Sequence, residues 1–275
     1  MIEIPEAVTF TTQLNGVVKG KKVAEVVAAH SPHKFAWYQG DPSAYPRLLI
    51  GKSITESRPV GGMIEIIVED AIIVLSEGAR PAFHAPGEKL PKKHQLLLQL
   101  DRGSSLSVSV QMYGGILAFR EGEGDNSYYL MAREKPTPLS ENFDRIYFEG
   151  IMTAEGMDKL SAKALLATEQ RIPGLGNGSL QDILYNAKIH PRRKVNTFTQ
   201  EETNMLFESI RLTLAEMTNK GGRDTEKDLF GQPGGYKTKC SKNSVGKSCD
   251  VCGAVIEKAS YMGGSIYFCP GCQDL

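Results

Sequence analysis

The sequence predicts an α+β protein in three parts, and three observations carry that reading. Short β-branched and alternating apolar runs fill the stretch from residue 48 to about 131. Beyond Lys135-Pro136-Thr137-Pro138-Leu139-Ser140 the composition shifts to Ala, Leu, Lys and Glu at helical spacing. Four of the five cysteines fall in the last 27 residues. The expected parts are a β-rich unit with one leading helix over 1–135, a helical domain over 136–239 and a cysteine-bound finger over 240–275.

The first unit is expected to open with an extended turn at Pro5. Val8, Thr12, Leu14 and Val18 then outline a helix, which Gly16 and Gly20 weaken. Ile64, Ile66 and Val68 alternate with neighbours that include Glu65 and Glu69, and a second strand covers Ile72 to Leu75. Two more strands, 96–100 and 106–110, flank an Asp-Arg-Gly-Ser-Ser link. Residues 116–119 and 128–131 are expected to pair across a Gly-rich turn. In the second part, helices are expected over 158–170 and over 178–187, the latter capped by Ser179. Residues 200–220 form the clearest amphipathic helix, with Leu206, Ile210, Leu214 and Met217 on one face. Residues 221–248 read as a polar connection.

Formal net charge is zero, with 41% hydrophobic and 23% charged residues, an ordinary balance for a globular protein. No apolar run is long enough for a membrane span, and the N-terminus lacks a secretory pattern, so a cytoplasmic protein is expected. Two stretches are locally basic: Lys188 to Lys194, and the acid-free set Lys237, Lys239, Lys242 and Lys247. Taken alone, such runs are more often solvated surface than ligand sites.

Cys249-Asp-Val-Cys252 and Cys269-Pro-Gly-Cys272 are two C-x-x-C pairs sixteen residues apart. Each turn brings two sulfurs to one ion, so the four make a closed, structural zinc site. Residues 254–256 and 266–268 suit the strands of a hairpin between them, and Cys240 is left as a free thiol. Gly51-Lys-Ser53 and Gly246-Lys-Ser248 lack the earlier glycine of a phosphate loop.

Read end to end, the motif order resembles the formamidopyrimidine-DNA glycosylase and endonuclease VIII family, enzymes that excise damaged bases. Met1-Ile-Glu-Ile-Pro-Glu-Ala-Val-Thr9 resembles the family's opening. Gln111-Met112-Tyr113-Gly114 is similar to its intercalating turn. Pro173-Gly-Leu-Gly-Asn177, followed by Asp182, His190 and Pro191, resembles its helix–two-turns–helix segment. The cysteine spacing with a trailing Gln273 matches its finger. The resemblance implies a β-sandwich with a leading helix, then a helical helix–two-turns–helix domain, then a zinc-finger β-hairpin. It also implies a monomer acting on damaged or abasic double-stranded DNA.

The family attacks the sugar carbon with an N-terminal proline amine, and here the second residue is Ile2. Methionine is trimmed only before small residues, so Met1 should stay. That displaces the amine by one residue, roughly 3–4 Å, where a 1 Å misplacement costs about a hundredfold. Glu3 stands at the acid/base position, with a surface carboxylate as the alternative, and Glu6 reads as a cap of the leading helix. The family's phosphate-gripping lysine and arginine are replaced by Gly62 and Gly264, and a histidine by Ser109. By the same resemblance Asn177 would bind a phosphate and Met112 would fill the gap left by a flipped base. A plain turn Asn and a core Met are the alternatives. Lys188, Arg192, Arg193 and Lys194 would follow the DNA backbone. The expected function is a divergent DNA glycosylase that uses Glu3 and water, or the Met1 amine, with weak or absent lyase activity. The rival readings are a catalytically inactive DNA binder and a zinc ribbon with RNA or protein partners.

Overall fold

The structure is a computed structural model that describes all 275 residues. Two compact units form: residues 1–133 with 226–233, and residues 134–225 with 234–275. No helix is long and apolar enough to cross a membrane.

The first unit opens on α1 (Ile4–Val17), without the expected extended turn at Pro5. Glu3 is the N-cap, and a reciprocal capping box joins it to Glu6, so Pro5 sits in the first turn, where its missing N–H costs nothing. Eight elements follow: β1 (Val23–Ala28), β2 (Ala36–Tyr38), α2 (Tyr45–Leu49), β3 (Ile54–Val60), β4 (Met63–Val68), β5 (Ala71–His84), β6 (Leu96–Leu100) and β7 (Ser105–Arg120). The strand order is β1-β6-β7-β5-β4-β3, with antiparallel neighbours throughout, while β2 joins β7 in parallel.

β5 and β7 are long enough to serve both layers of a β-sandwich. Residues 71–77 of β5 pair with 114–120 of β7, and 79–84 pair with 105–110, with a register shift between the two halves. At that shift a Cβ on Gly78 would run into the Gln111 carbonyl, and one on Gly114 would lie 2.6 Å from the Ala79 nitrogen. Glycine is needed where the strands bend past each other. Ile64, Ile66, Ile73 and Leu75 from one layer share a core with Leu98, Leu106 and Val108 from the other and with Phe10 and Leu14 of α1. Met112 therefore lies within an unbroken β7, at φ 65°, and not in a separate turn.

Residues 128–131 are helical, within α3 (Ser127–Glu134), and not the expected strand. The Asn126 side chain accepts from the Tyr129 N–H at 3.0 Å. Tyr129 and Ala132, three apart, then bury together against Val74, Leu117 and Phe119. The Tyr129 hydroxyl donates to Glu65, a fully buried carboxylate on β4 that also pairs with Arg58. Burial and this bond push the Tyr129 pKa up to about 12.

The second unit contains α4 (Arg145–Thr153), α5 (Ala162–Ala167), α6 (Ser179–Asn186), α7 (Gln200–Asn219) and the hairpin β8 (Glu257–Tyr261), β9 (Gly264–Phe268). α4, unforeseen in the sequence, starts where Asp144 accepts from the Tyr147 N–H. α5 is shorter than the expected helix at both ends: Ser161 caps it after a separate 3-10 turn at Met157–Lys159, and Glu169 and Gln170 adopt left-handed backbone beyond it. Gly178, not Ser179, is the N-cap of α6. α7 carries a Thr199–Glu202 capping box, and its Leu206, Ile210, Leu214 and Met217 are fully buried, as their spacing predicts. The first hairpin strand begins three residues later than expected. Met262 and Gly263, both at positive φ, make its two-residue turn.

Tyr129→Phe leaves a buried carboxylate oxygen of Glu65 without its donor, at a cost of about 1–3 kcal/mol. The midpoint of urea unfolding should fall accordingly. The double variant Glu65→Met/Tyr129→Phe should recover most of that loss, because it removes the buried charge along with its partner.

Candidate functional site

In the first unit, charged and polar side chains gather around the chain start. The Ile2 N–H donates to the Glu77 carbonyl at 2.7 Å, fixing the first residues against β5. The Met1 ammonium donates to Glu226 at 2.9 Å, and Arg80 pairs with the same carboxylate. While it is protonated and held this way, the amine has no lone pair to offer a sugar carbon. Glu3 is 3% exposed and Glu6 4%, so neither is a surface carboxylate. Each accepts from the other's backbone N–H in the capping box, the role the sequence suggested for Glu6. Glu77 lies near enough for Glu3 to act on it: burial first, then the Glu3 charge, raises its pKa above the usual carboxylate range. Tyr113 feels the same two carboxylates, after burial, and its pKa is raised too. Next to it, Met112 is 73% exposed and is not a core residue.

In the second unit, α5, α6 and the finger hairpin share a polar cluster. The Asn177 amide donates to the Ser265 carbonyl at 3.0 Å. Gln181 donates to the Asn177 carbonyl at 2.9 Å and accepts from the Tyr267 N–H at 3.0 Å. Lys163, buried on α5, donates from Nζ to the Tyr261 carbonyl at 2.7 Å. Burial lowers its pKa from the ordinary lysine value. Gly264 lies directly against this cluster: a Cβ there would sit 3.4 Å from Lys163 Nζ and 3.8 Å from Asn177 Nδ2. A cation thus stands beside the position where the sequence shows only glycine.

The basic run divides by environment. Lys188 and Arg192 are exposed. Arg192 also donates to the Ser260 carbonyl at 3.1 Å and lies over the Tyr261 ring. Arg193 is paired with Glu202 at the start of α7 and lies over Phe198, and Lys194 donates to the Lys159 carbonyl.

The Sγ atoms of Cys249, Cys252, Cys269 and Cys272 all lie within 4.8 Å of one another. Two of the separations are 3.7 and 3.3 Å. A tetrahedral zinc with Zn–S bonds of about 2.3 Å needs roughly 3.8 Å between sulfurs, so the set fits that ion. Tyr185 O–H lies 3.0 Å from Cys249 Sγ. Gln273 accepts from the Cys269 N–H at 2.9 Å and donates to the Ile189 carbonyl at 2.9 Å, tying the second knuckle to the helical segment. The buried Asp182 of α6, its pKa pushed up to about 6 by burial, accepts from the N–H groups of Lys239 and Cys240 at 2.8 Å. Cys240 is buried next to the cluster but is not one of the four.

No protein-family model matches the chain. It is 26% identical over 281 residues to a formamidopyrimidine-DNA glycosylase of Bacillus cereus, covering 99% of each protein. To that of Bacillus licheniformis it is 27% identical over 279 residues, again covering 99% of each. Its fold superposes on the MutM (Fpg) protein of Thermus thermophilus with a TM-score of 0.81, at 25% identity over 98% of both chains. Over nearly its whole length the chain is similar to formamidopyrimidine-DNA glycosylases in both sequence and fold. A Lactococcus lactis Fpg in complex with DNA containing an abasic site shares the fold, with a TM-score of 0.84 at 23% identity over 99% and 100% of the two chains.

Within this family fold, Glu77, Lys163 and Glu226 are the polar groups that sequence reasoning passed over. Glu226 lies in a polar, Gly-rich stretch with no periodicity, and Lys163 looks like any lysine of a helical run. Glu77 had a local signal: it immediately precedes Gly78, the bend of β5.

Cys269→Ser removes a thiolate from the closed set and should release the metal. Purified variant should contain less than about one tenth of the wild-type zinc. Amides of β8 and β9 should lose hydrogen-exchange protection, while those of β4 and β5 keep theirs.

Proposed function

We propose that this chain is a DNA base-excision repair protein, acting as a cytoplasmic monomer on damaged or abasic double-stranded DNA. In this reading it hydrolyses the N-glycosidic bond of a flipped, oxidised base without a strand-cleaving lyase step. The observation that carries the reading is the state of the chain start. The amine that would form a Schiff base is an ammonium paired with Glu226, while the carboxyl groups of Glu3 and Glu77 lie close by. Glu3 takes a proton from a water whose oxygen attacks C1′ of the sugar. The C1′–N bond breaks, its electron pair leaves with the base, and the base takes up a proton from solvent. Without a covalent amine adduct there is no β-elimination, and the product is an intact abasic strand.

The second unit supports the DNA half of the reading. Lys163 is a nearly buried ammonium with a single carbonyl partner at 2.7 Å, and a phosphate would offset its lost hydration. The second Asn177 amide hydrogen and exposed Lys188 and Arg192 add donors for further phosphates. The exposed Met112 suits a wedge entering the base stack. Zinc, held by the four cysteines, keeps the hairpin folded and takes no part in the reaction.

A second reading, a catalytically inactive binder of distorted DNA, is favoured by one observation: the Glu3 carboxylate is already used as the N-cap of α1.

Borohydride reduction on abasic duplex should trap no adduct with the wild-type protein, since the amine is not a free nucleophile; a trapped adduct in stoichiometric yield would refute the hydrolytic route. Duplexes carrying 8-oxoguanine, formamidopyrimidine or an oxidised pyrimidine should release base in single-turnover assays. Glu3→Gln should abolish that release while leaving DNA affinity within about twofold. No release from any of the three, with binding intact, establishes the inactive reading.

Asn177→Ala should weaken binding to abasic duplex about tenfold, the scale of one hydrogen bond to a charged group. Zinc content should stay unchanged.

A further inference from the structure

The first unit carries a cationic strip next to a set of exposed rings that the proposed chemistry does not use. Residues 26–40 and 89–95 contain no Asp or Glu but hold Lys34, Lys89, Lys92 and Lys93, all exposed. The two stretches form one surface. The Ser31 N–H donates to the His94 carbonyl at 3.1 Å, and Gln95 Nε2 donates to the Ser31 carbonyl at 2.9 Å. His30 stacks on His94 with ring centroids 4.7 Å apart.

From this strip rise Phe35 and Trp37, 53% and 46% exposed. They are held rigidly. β2 pairs in parallel with β7, Trp37 opposite Gly115, and the Gly114 N–H donates to the Phe35 carbonyl at 3.0 Å. The Trp37 ring stacks on Tyr113 at 6.0 Å with 22° between planes, one residue from exposed Met112. Tyr38, on the opposite face of the strand, turns inward to Tyr45. A backed, half-exposed indole costs hydration while it has no ligand. A cationic surface with an ordered aromatic face is what a single strand of nucleic acid needs: phosphates meet the lysines and a base covers the ring.

We propose that Trp37, backed by Tyr113, is a stacking platform for an unpaired DNA base, with Lys34, Lys92 and Lys93 following the adjoining phosphates. This rests on the DNA-binding reading above and adds which part of the DNA the surface takes. The neighbouring Met112, as a wedge, would leave a base without its stacking partner, and Trp37 offers it a new one.

Trp37 is the only tryptophan in the chain, so its emission reports this site alone. Titration of the full-length zinc-loaded protein with an abasic duplex should quench that emission in step with binding measured by anisotropy of labelled DNA. A fully paired duplex of the same length should quench it less. Trp37→Ala should weaken abasic-duplex binding about tenfold, and Trp37→Phe should restore it to within about twofold, as expected for base–aromatic stacking. Equal zinc content and equal urea midpoints keep a folding defect from imitating this result. Lys34→Ala/Lys92→Ala/Lys93→Ala should reduce the slope of log affinity against log salt by about two to three. Normal DNA binding with unchanged emission and a wild-type-like Trp37→Ala overturns the platform and leaves the DNA reading standing. An unchanged salt slope in the triple variant removes the lysine strip. Failure to bind abasic DNA at all overturns both readings, whereas equal quenching by intact and abasic duplex overturns the platform alone.

Discussion

The amino end of α1 depends on two carboxylates that cap each other's backbone. Glu3 and Glu6 satisfy the first N–H groups of the helix, and their negative charges lie at the positive end of its dipole. Because that clasp is buried, Met1 and Ile2 have little freedom. The Ile2 N–H must meet the Glu77 carbonyl, and the terminal ammonium must find an anion, which Glu226 supplies. The chemistry available at this end follows from that geometry. It offers carboxylates in a low-dielectric setting and an amine already neutralised by a neighbour.

In the second unit a cation lies next to Gly264. A Cβ at Gly264 would lie in ordinary contact with Lys163 Nζ, at 3.4 Å. With glycine there, the ammonium is held against the hairpin by the Tyr261 carbonyl, next to the Asn177 amide. Between β3 and β4 the turn is Gly61-Gly62 and carries no side chain.

How much was legible in the sequence followed from how local each signal is. The four zinc ligands were legible because a C-x-x-C turn needs nothing outside itself. The buried stripe of α7 and the β4–β5 hairpin were legible because each has a strong period. Residues 128–131 were misread because Tyr-Tyr-Leu-Met suits strand or helix, and the deciding contacts, Asn126 as a cap and Glu65 beneath Tyr129, lie outside the window. Met112 was placed in a turn by the resemblance of residues 111–114 to the family's intercalating turn, whereas Gly114 serves a bend inside a sixteen-residue strand. Glu226 and Leu229 were invisible for a different reason. A polar, Gly-rich stretch gives no hint that it supplies an ion-pair partner and a core leucine to a unit built mainly from the first 133 residues.

That returning segment sets an order on biosynthesis. The chain leaves the first unit after Arg133 and contributes Glu226–Pro233 to it only 92 residues later. At about 5–20 residues per second, the ribosome leaves the nascent amino end without its anion for roughly 5–20 s. The capping box of α1 and the ion pair that holds Met1 are therefore completed at different times.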